Sequence, residues 1–228
     1  PPGAGKSALA RWLVEDLNRS APGHVAYLPM DGFHRSDEEL ARLGLTRRKG
    51  APPTFDAVGF VALLAGVAHE PAIEWWAPGF DRSREQTVPR AHRVSPAVRL
   101  VVTEGNYLLL DTPPWSGLRD LCMRIWFVPV SRTAARRRLL LRARAGGRDP
   151  VAARRWVESN DLVNGRLVDA TAHRADAVVD TTAWRPPRGS RPPGPPEIGP
   201  VAPGPPGIGP VAPGPARHRR PGTVGPAP

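Results

Sequence analysis

The segment Gly5-Lys6-Ser7 constrains the fold of this chain more than any other, because a helical pattern follows it at once. The three residues fill the last places of the phosphate-binding pattern G-x-x-x-x-G-K-[ST]. In such a loop the backbone amides and the N-terminus of the helix face the phosphates of a nucleotide. We expect Lys6 to neutralise the β- and γ-phosphates and Ser7 to complete a Mg²⁺ shell. The predicted nucleotide-binding residues are Gly3, Ala4, Gly5, Lys6, Ser7 and Ala8.

The start of the chain adds an expectation about the sheet. The leading glycine of the pattern would lie one place before Pro1, and no apolar strand precedes the loop, although such a loop normally follows one. We therefore expect an N-terminally truncated domain whose first strand is missing. The neighbours of that strand would then expose their hydrogen-bonding edges.

Strand-like and helix-like segments alternate from Lys6 to Asp180, which predicts an α/β fold with a mostly parallel sheet. We expect the three-layer sandwich of P-loop NTPases. Ser36, Asp56, Ser131 and Asp149 are placed to cap helices, and Glu39 is placed to complete a capping box with Ser36. The expected strands span residues 24–30, 72–76, 98–103, 121–128 and 177–180, and the longer expected helices span 6–19, 56–68, 131–145 and 149–162.

A change in composition divides the chain at residue 185. Of its 30 Pro, 16 lie in residues 185–228, where the stretch IGPVAPGP also occurs twice. Such a segment cannot bury enough apolar surface to offset the entropy of ordering it. We expect a globular P-loop domain over residues 1–184 and a disordered Pro/Gly/Arg-rich tail over residues 185–228.

The formal charge of +11 at first suggests a nucleic-acid partner. Six Arg and one Glu of the tail account for about five of these charges, so the basic residues form no single patch on the domain. We therefore expect no nucleic-acid partner. The single cysteine, Cys122, excludes an internal disulfide, and no apolar run has the length of a membrane span. We expect a cytoplasmic protein without a membrane partner, with a homodimer as an open possibility.

The stretch LPMDGFHR, residues 28–35, favours one class of phosphate-loop protein. Asp31 follows the C-terminal end of a predicted strand, which is the edge where open α/β sheets bind ligands. A carboxylate there can accept the proton of a hydroxyl group as that group attacks the γ-phosphate. Gly32 would let the backbone turn, and we expect Phe33 and His34 to line the acceptor pocket.

The chain resembles the phosphoribulokinase/uridine kinase/pantothenate kinase family over residues 1–182. The motifs PPGAGKS, LPMDGFHR, RRKGAPPTFD, PGFDR and VVTEGNYLLLD occur in the order that is typical of that family. The resemblance points to a bacterial branch of nucleoside- or fructose-kinase-like proteins. It implies that Asp31 is the catalytic base and that Glu104 serves the Mg²⁺ site, with Arg47, Lys49, Asp81 and Arg82 on the acceptor side.

The resemblance also implies a mobile lid in the arginine-rich stretch after Ser131. A lid arginine would stabilise charge on the transferred phosphoryl group. We favour Arg142 or Arg148, because Gly146 and Gly147 supply the backbone freedom that a closing lid needs. Thr103 departs from the pattern, since an apolar strand residue is expected there.

Taken together, these features predict a kinase that uses ATP and Mg²⁺ and transfers the γ-phosphate to a hydroxyl of a small molecule. ATP is favoured over GTP because the guanine motif N-K-x-D is absent from the sequence. The acceptor is left open between a sugar and a nucleoside, for which Trp75, Trp76 or Phe80 could stack on the base. The alternative is a non-catalytic or inactive ATP-binding protein with a regulatory role.

Overall fold

The computed structural model of the protein describes residues 1–82 and 84–184. The predicted tail, residues 185–228, lies outside the described residues, so its expected disorder stays a prediction. Seven α-helices occur in the described part of the chain: α1 Lys6–Ser20, α2 Asp37–Arg42, α3 Ala57–His69, α4 Leu118–Leu121, α5 Arg132–Ala145, α6 Pro150–Trp156 and α7 Leu162–Asp169.

Six strands form three separate pairs among the described residues: β1 Val25–Pro29, β2 Trp75–Asp81, β3 Gln86–Val94, β4 Leu100–Glu104, β5 Trp126–Phe127 and β6 Ala177–Val178. The pair β1–β4 is parallel, with Val25 opposite Leu100 and Pro29 opposite Glu104. The pair β5–β6 is also parallel. Helices on the chain between parallel strands confirm the predicted α/β class.

The pair β2–β3 is an antiparallel hairpin that the sequence pattern did not predict. We expected a short strand at residues 72–76, whereas β2 runs to Asp81 and pairs with the polar segment Gln86–Val94. The register shifts between Ala77 and Gly79, and Arg90 has a φ of 52°. The hairpin escapes a search for alternating residues because β3 contains proline, arginine and histidine and lies largely half-exposed.

The predicted helix starts are confirmed at four side-chain caps. The side chains of Ser36, Asp56, Ser131 and Asp149 each accept a hydrogen bond from a backbone amide of the first helical turn. The predicted capping box at Ser36 is only half formed. The carboxylate of Glu39, which we expected to reach back to the cap, pairs with Arg35 instead.

The largest core cluster is built mainly from β1, α3 and the segment that follows β4. Leu28, Met30, Phe60, Tyr107 and Leu118 are fully buried there. A second cluster packs α5 against the α6–α7 region through Ala135, Leu139, Val157 and Leu162. The parallel strands β1 and β4 end side by side, with Pro29 opposite Glu104, next to the start of α1. The candidate site lies at this edge of the sheet.

Candidate active site

The phosphate-binding loop has the backbone shape that its glycines predict. Gly3 and Gly5 have φ angles of 76° and 93°, a region that other residues rarely adopt. Helix α1 begins at Lys6, directly after the loop, so its unpaired first amides point to the same space. Five of the six predicted loop residues border a cleft of about 320 Å³, whereas Ala4 is buried behind them. The loop members that border it are Gly3, Gly5, Lys6, Ser7 and Ala8.

Lys6 is held inside this cleft by two hydrogen bonds. Its Nζ donates to Oδ1 of Asn106 at 2.7 Å and to the carbonyl oxygen of Pro1 at 2.9 Å. Burial lowers the pKa of Lys6, while Glu104 and Asp31 favour its charged form. A phosphate placed in the loop would add an anion beside this ammonium group and would stabilise its charge further.

Ser7 and Glu104 meet at the end of β4. Oε1 of Glu104 accepts hydrogen bonds from the hydroxyls of Ser7 and Tyr27, each at 2.8 Å. Tyr27 reaches it because Pro29 pairs with Glu104, and Tyr27 lies two residues earlier on the same face of β1. The site therefore presents one buried carboxylate and one hydroxyl beside the phosphate loop.

These oxygen donors fit Mg²⁺, which prefers one or two carboxylates together with phosphate oxygens of a substrate. Within residues 1–82 and 84–184, no group of three or more His, Cys, Asp or Glu could bind a metal without such help. Ser7 and Glu104 are the residues that would hold the ion, and the ion would neutralise charge on the β- and γ-phosphates.

Asp31 lies at the C-terminal end of β1, in a short 3₁₀ turn that spans Met30–Phe33. Its carboxylate pairs with the guanidinium of Arg82 from the β2–β3 turn. Burial alone would raise the pKa of Asp31, but the positive charges around it, with Arg82 the largest contributor and Lys6 and Arg142 adding to it, together keep the pKa below its usual value. Gly32 is required at the next position, because a Cβ there would lie 2.0 Å from the carbonyl oxygen of Pro78.

His34 borders the cleft beside Asp31. Its Nδ1 lies 2.8 Å from the carbonyl oxygen of Asp31, which can only accept, so Nδ1 carries the proton of this bond. Burial lowers the pKa of His34, which favours the neutral ring with Nε2 as an acceptor. The rings of Phe55 and Phe80 pack on this imidazole, with centroids 4.1 Å and 4.6 Å from its own.

Arg142 completes the ring of charged groups around the cleft. It projects from the last turns of α5, and its Nη2 lies 3.9 Å from Oδ1 of Asp161. Asp161 and Asn164 also border the cleft. Cationic Lys6, Arg82 and Arg142 thus surround the carboxylates of Asp31, Asp161 and Glu104, an arrangement that can receive phosphate groups and a proton from a hydroxyl.

Comparison with known proteins decides the family of this site. The chain is 35% identical over 186 residues to a protein of Schizosaccharomyces pombe that is provisionally named a uridine kinase, covering 78% of this chain and 79% of that protein. The chain belongs to the P-loop kinases. No protein-family model matches it.

Two solved structures share the fold of this P-loop kinase. A protein of Silicibacter sp., provisionally described as a fructose transport system kinase, matches with a TM-score of 0.71 and 36% identity, over 78% of this chain and 85% of that one. YFH7 of Saccharomyces cerevisiae, described as a P-loop-containing kinase with a circular permutation and named an ATP-dependent kinase, matches with a TM-score of 0.60 and 25% identity. That match covers 69% of this chain and 57% of YFH7.

Several residues that we expected on the acceptor side of the kinase lie elsewhere. Phe33 is in the core, where its ring contacts Phe60 at 5.1 Å. Arg47 is exposed on the loop before α3 and does not border the cleft. The Nζ of Lys49 pairs with Asp37 at 2.7 Å and with Glu85 at 3.3 Å, so its charge holds the loop to the β2–β3 turn.

Arg82 and Arg142 border the cleft, as predicted for the site, but two further predicted residues do not. Asp81 ends β2 and accepts a hydrogen bond from the amide of Arg84 at 3.3 Å. Arg148 follows α5 and lies over the ring of Trp156, 4.3 Å from its centroid. Of the two candidate lid arginines, the structure therefore brings Arg142 into the cleft.

Sequence reasoning missed three polar groups of the site. Asn106 follows Glu104 by two residues, and its place after the strand end was the available signal. Asp161 and Asn164 have the i, i+3 spacing of one helix face, but their segment carried no recognisable motif. The described helices include none with the length and apolar content that a bilayer crossing requires.

Proposed function

We propose that this P-loop kinase transfers the γ-phosphate of ATP to a hydroxyl group of a small molecule. The observation that carries the proposal is the convergence of Asp31, Lys6 and the Ser7–Glu104 pair on one cleft. A bound nucleotide would place its terminal phosphates on the loop, beside Lys6. Asp31 then lies on the side from which an acceptor hydroxyl can approach, and Arg142 lies over the same space.

Each charged group has a defined task in this proposal. Asp31 accepts the proton of the attacking hydroxyl, and its low pKa keeps it ionised at neutral pH. Lys6 and Arg142 stabilise negative charge on the phosphoryl group as it moves. ATP is the favoured donor because several relatives are named ATP-dependent kinases.

The acceptor side of the cleft favours a sugar over a nucleoside. A nucleobase is usually held by a free aromatic face, and the described lining contains only two aromatic rings, His34 and Phe55. These two rings pack on each other, and Phe80 packs on His34 as well. The polar groups that remain, namely Asp31, Nε2 of His34 and Arg82, suit the hydroxyls of a sugar.

The tryptophans that could have stacked on a base have partners elsewhere. Nε1 of Trp75 donates to the carbonyl oxygen of Glu70, and its ring packs on Gly66 of α3. The ring of Trp76 lies beneath the guanidinium of Arg90, 4.4 Å from centroid to Cζ. The name of the Silicibacter relative also supports a sugar acceptor. The name of the Schizosaccharomyces pombe relative instead supports a nucleoside.

An ADP-release screen with Mg-ATP tests the proposal. The panel should contain ketohexoses, aldohexoses, pentoses and nucleosides, and mass spectrometry of the acceptor should show the added phosphoryl group. We expect stimulation by a sugar, and the Asp31→Asn variant should lower it about 10²-fold or more. Stimulation by nucleosides alone would contradict the sugar assignment. If the protein binds ATP but no acceptor stimulates the release of ADP, the result would support the alternative of a non-catalytic ATP-binding protein.

A further inference from the structure

A π-helical turn interrupts the long helical segment after residue 150. Helix α6 ends at Trp156, the π turn spans Val157–Asp161, and α7 starts at Leu162. Single π turns within α-helices often occur at functional sites, because the extra residue redirects the side chains that follow. Here Asp161, the last residue of the turn, borders the cleft, as does Asn164 one turn later.

A hydrogen bond fixes this turn to the loop that precedes α3, and a second one lies within the helical segment. Nδ2 of Asn160 donates to the carbonyl oxygen of Lys49 at 2.7 Å, and Nδ2 of Asn164 donates to Oδ1 of Asn160 at 3.4 Å. Val157 is fully buried against the second core cluster. Asp161 therefore projects from a rigidly held segment into the cleft.

The surroundings of Asp161 point to an arginine as its partner. Its side chain is only 15% exposed, and burial raises its pKa, while Arg142 and Arg148 oppose that rise. The side chain of Arg142 is 49% exposed and lies 3.9 Å from Asp161. A long, half-exposed arginine has many rotamers, so a fixed carboxylate beside it restricts where its guanidinium can lie.

We infer that Asp161 is a positioning residue that holds Arg142 over the phosphate-transfer site. The inference rests on the proposed function, because Arg142 has a catalytic task only if a phosphoryl group is transferred. Asp161 acts through Arg142 and needs no contact with the substrate. Asp31 also favours the charged form of Arg142, but in the proposed function Asp31 accepts the proton of the attacking hydroxyl, whereas Asp161 accepts none.

A double-mutant cycle tests the coupling in the full chain. Asp161→Asn should lower kcat about 10-fold, within the range of couplings between contacting charged residues, and leave the KM for ATP within about twofold. Asp161→Glu should recover part of kcat. In the Arg142→Gln background, Asp161→Asn should have no further effect, because the residue that it positions is gone. Glu158→Gln is the matched control, since Glu158 lies on the same turn and pairs with Arg136 at 2.5 Å.

Two results would overturn this role. One is that the two substitutions lower kcat additively; the other is that Asp161→Asn raises the KM for the acceptor with kcat unchanged, which would make Asp161 an acceptor ligand. A second measurement is independent of turnover. Phenylglyoxal modification of Arg142, followed by peptide mass mapping, should be several-fold faster in Asp161→Asn, while modification of exposed Arg137 stays the same.

The two measurements separate this inference from the proposed function. If no acceptor stimulates ADP release in the unmodified protein but Arg142 becomes more reactive in Asp161→Asn, the proposed function fails and the contact stands. If the unmodified protein is active and the reactivity of Arg142 does not change, the positioning role fails while the proposed function stands.

Discussion

The carboxylate of Asp31 is paired with the guanidinium of Arg82, across the opening between β1 and the β2–β3 hairpin. If Asp31 is the catalytic base, as we propose, it must exchange or share this cationic partner when the acceptor binds. The pair also keeps Asp31 ionised before substrate binds, because a nearby positive charge favours the carboxylate form.

Replacement of Asp31 with Asn should separate nucleotide binding from transfer. The amide cannot accept the proton, so kcat should fall about 10²-fold or more. The affinity for ATP, measured by calorimetry, should change little because Asp31 lies outside the phosphate loop. Asp16→Asn is the control, because Asp16 pairs with Arg19 on α1 and does not border the cleft. Normal turnover in Asp31→Asn would remove Asp31 as the base.

Replacement of Arg82 with Gln should move the pH dependence of the reaction. Without Arg82, burial should raise the pKa of Asp31, so a larger fraction of the base is protonated in mild acid. The acid limb of the kcat/KM profile should therefore shift to higher pH. Arg93→Gln, which removes a surface arginine of β3 paired with Glu74, should leave the limb in place. An unmoved limb in Arg82→Gln would show that Arg82 does not control the ionisation of Asp31.

Arg138 should support nucleotide binding from outside the cleft. Its Nη1 donates to the carbonyl oxygen of Gly3 at 2.9 Å, and a Cβ on Gly3 would lie 3.3 Å from the backbone of Ala135 in α5. Arg138→Gln should weaken ATP binding about 5- to 10-fold by loosening the loop, which is the range of a single hydrogen bond. Equal affinities in Arg138→Gln and in the neighbouring Arg137→Gln would contradict this role.

The local sequence was sufficient to predict the nucleotide side of the site. Gly5, Lys6 and Ser7 carry their chemistry in adjacent positions, and the short distance from Asp31 or Glu104 to a strand end made both acidic residues visible. The acceptor side depends on tertiary contacts that no spacing encodes. Lys49 has its charge paired with Asp37 and Glu85, and Phe33 turns into the core beside Phe60, although both residues belong to motifs that suggested an acceptor pocket.

The helical part of the fold was also easier to predict than the strands. Ser131 and Asp149 start their helices with side-chain caps, which act within three residues. The hairpin β2–β3 instead depends on a register shift near Gly79 and on a left-handed Arg90. The π turn before Leu162 adds a residue to the helical repeat and shifts the side chains that follow, and no sequence motif marks it, so the direction of Asp161 could not be read from the pattern.

Replacement of Gly32 with Ala should destabilise the domain. The added Cβ would lie 2.0 Å from the carbonyl oxygen of Pro78, a backbone atom that cannot move without shifting β2. We expect a loss of about 2 kcal/mol or more in the free energy of unfolding, measured with urea. Gly117→Ala is the matched control, because the nearest atom to its Cβ is a side-chain carbon of Val61 at 3.6 Å. Equal stability of the two variants would contradict the close approach at Gly32.

His92 should make the fold less stable in mild acid. Burial lowers the pKa of His92 to about 4, and Arg11 acts in the same direction; its ring packs edge-on against Tyr27 at 5.3 Å. In the unfolded chain the pKa is about 6.5. Between these values the unfolded chain binds more protons than the fold does, so the free energy of unfolding falls as the pH is lowered from about 6.5 towards 4.

Urea unfolding at a series of pH values measures this effect. His92→Gln should remove about 1–2 kcal/mol of the loss between pH 7 and 4.5, allowing for the partial exposure of the ring. Part of the acid sensitivity should remain, because burial also lowers the pKa of His34. The same pH dependence in His92→Gln and in the unmodified protein would show that His92 is protonated to the same extent in the folded and the unfolded chain.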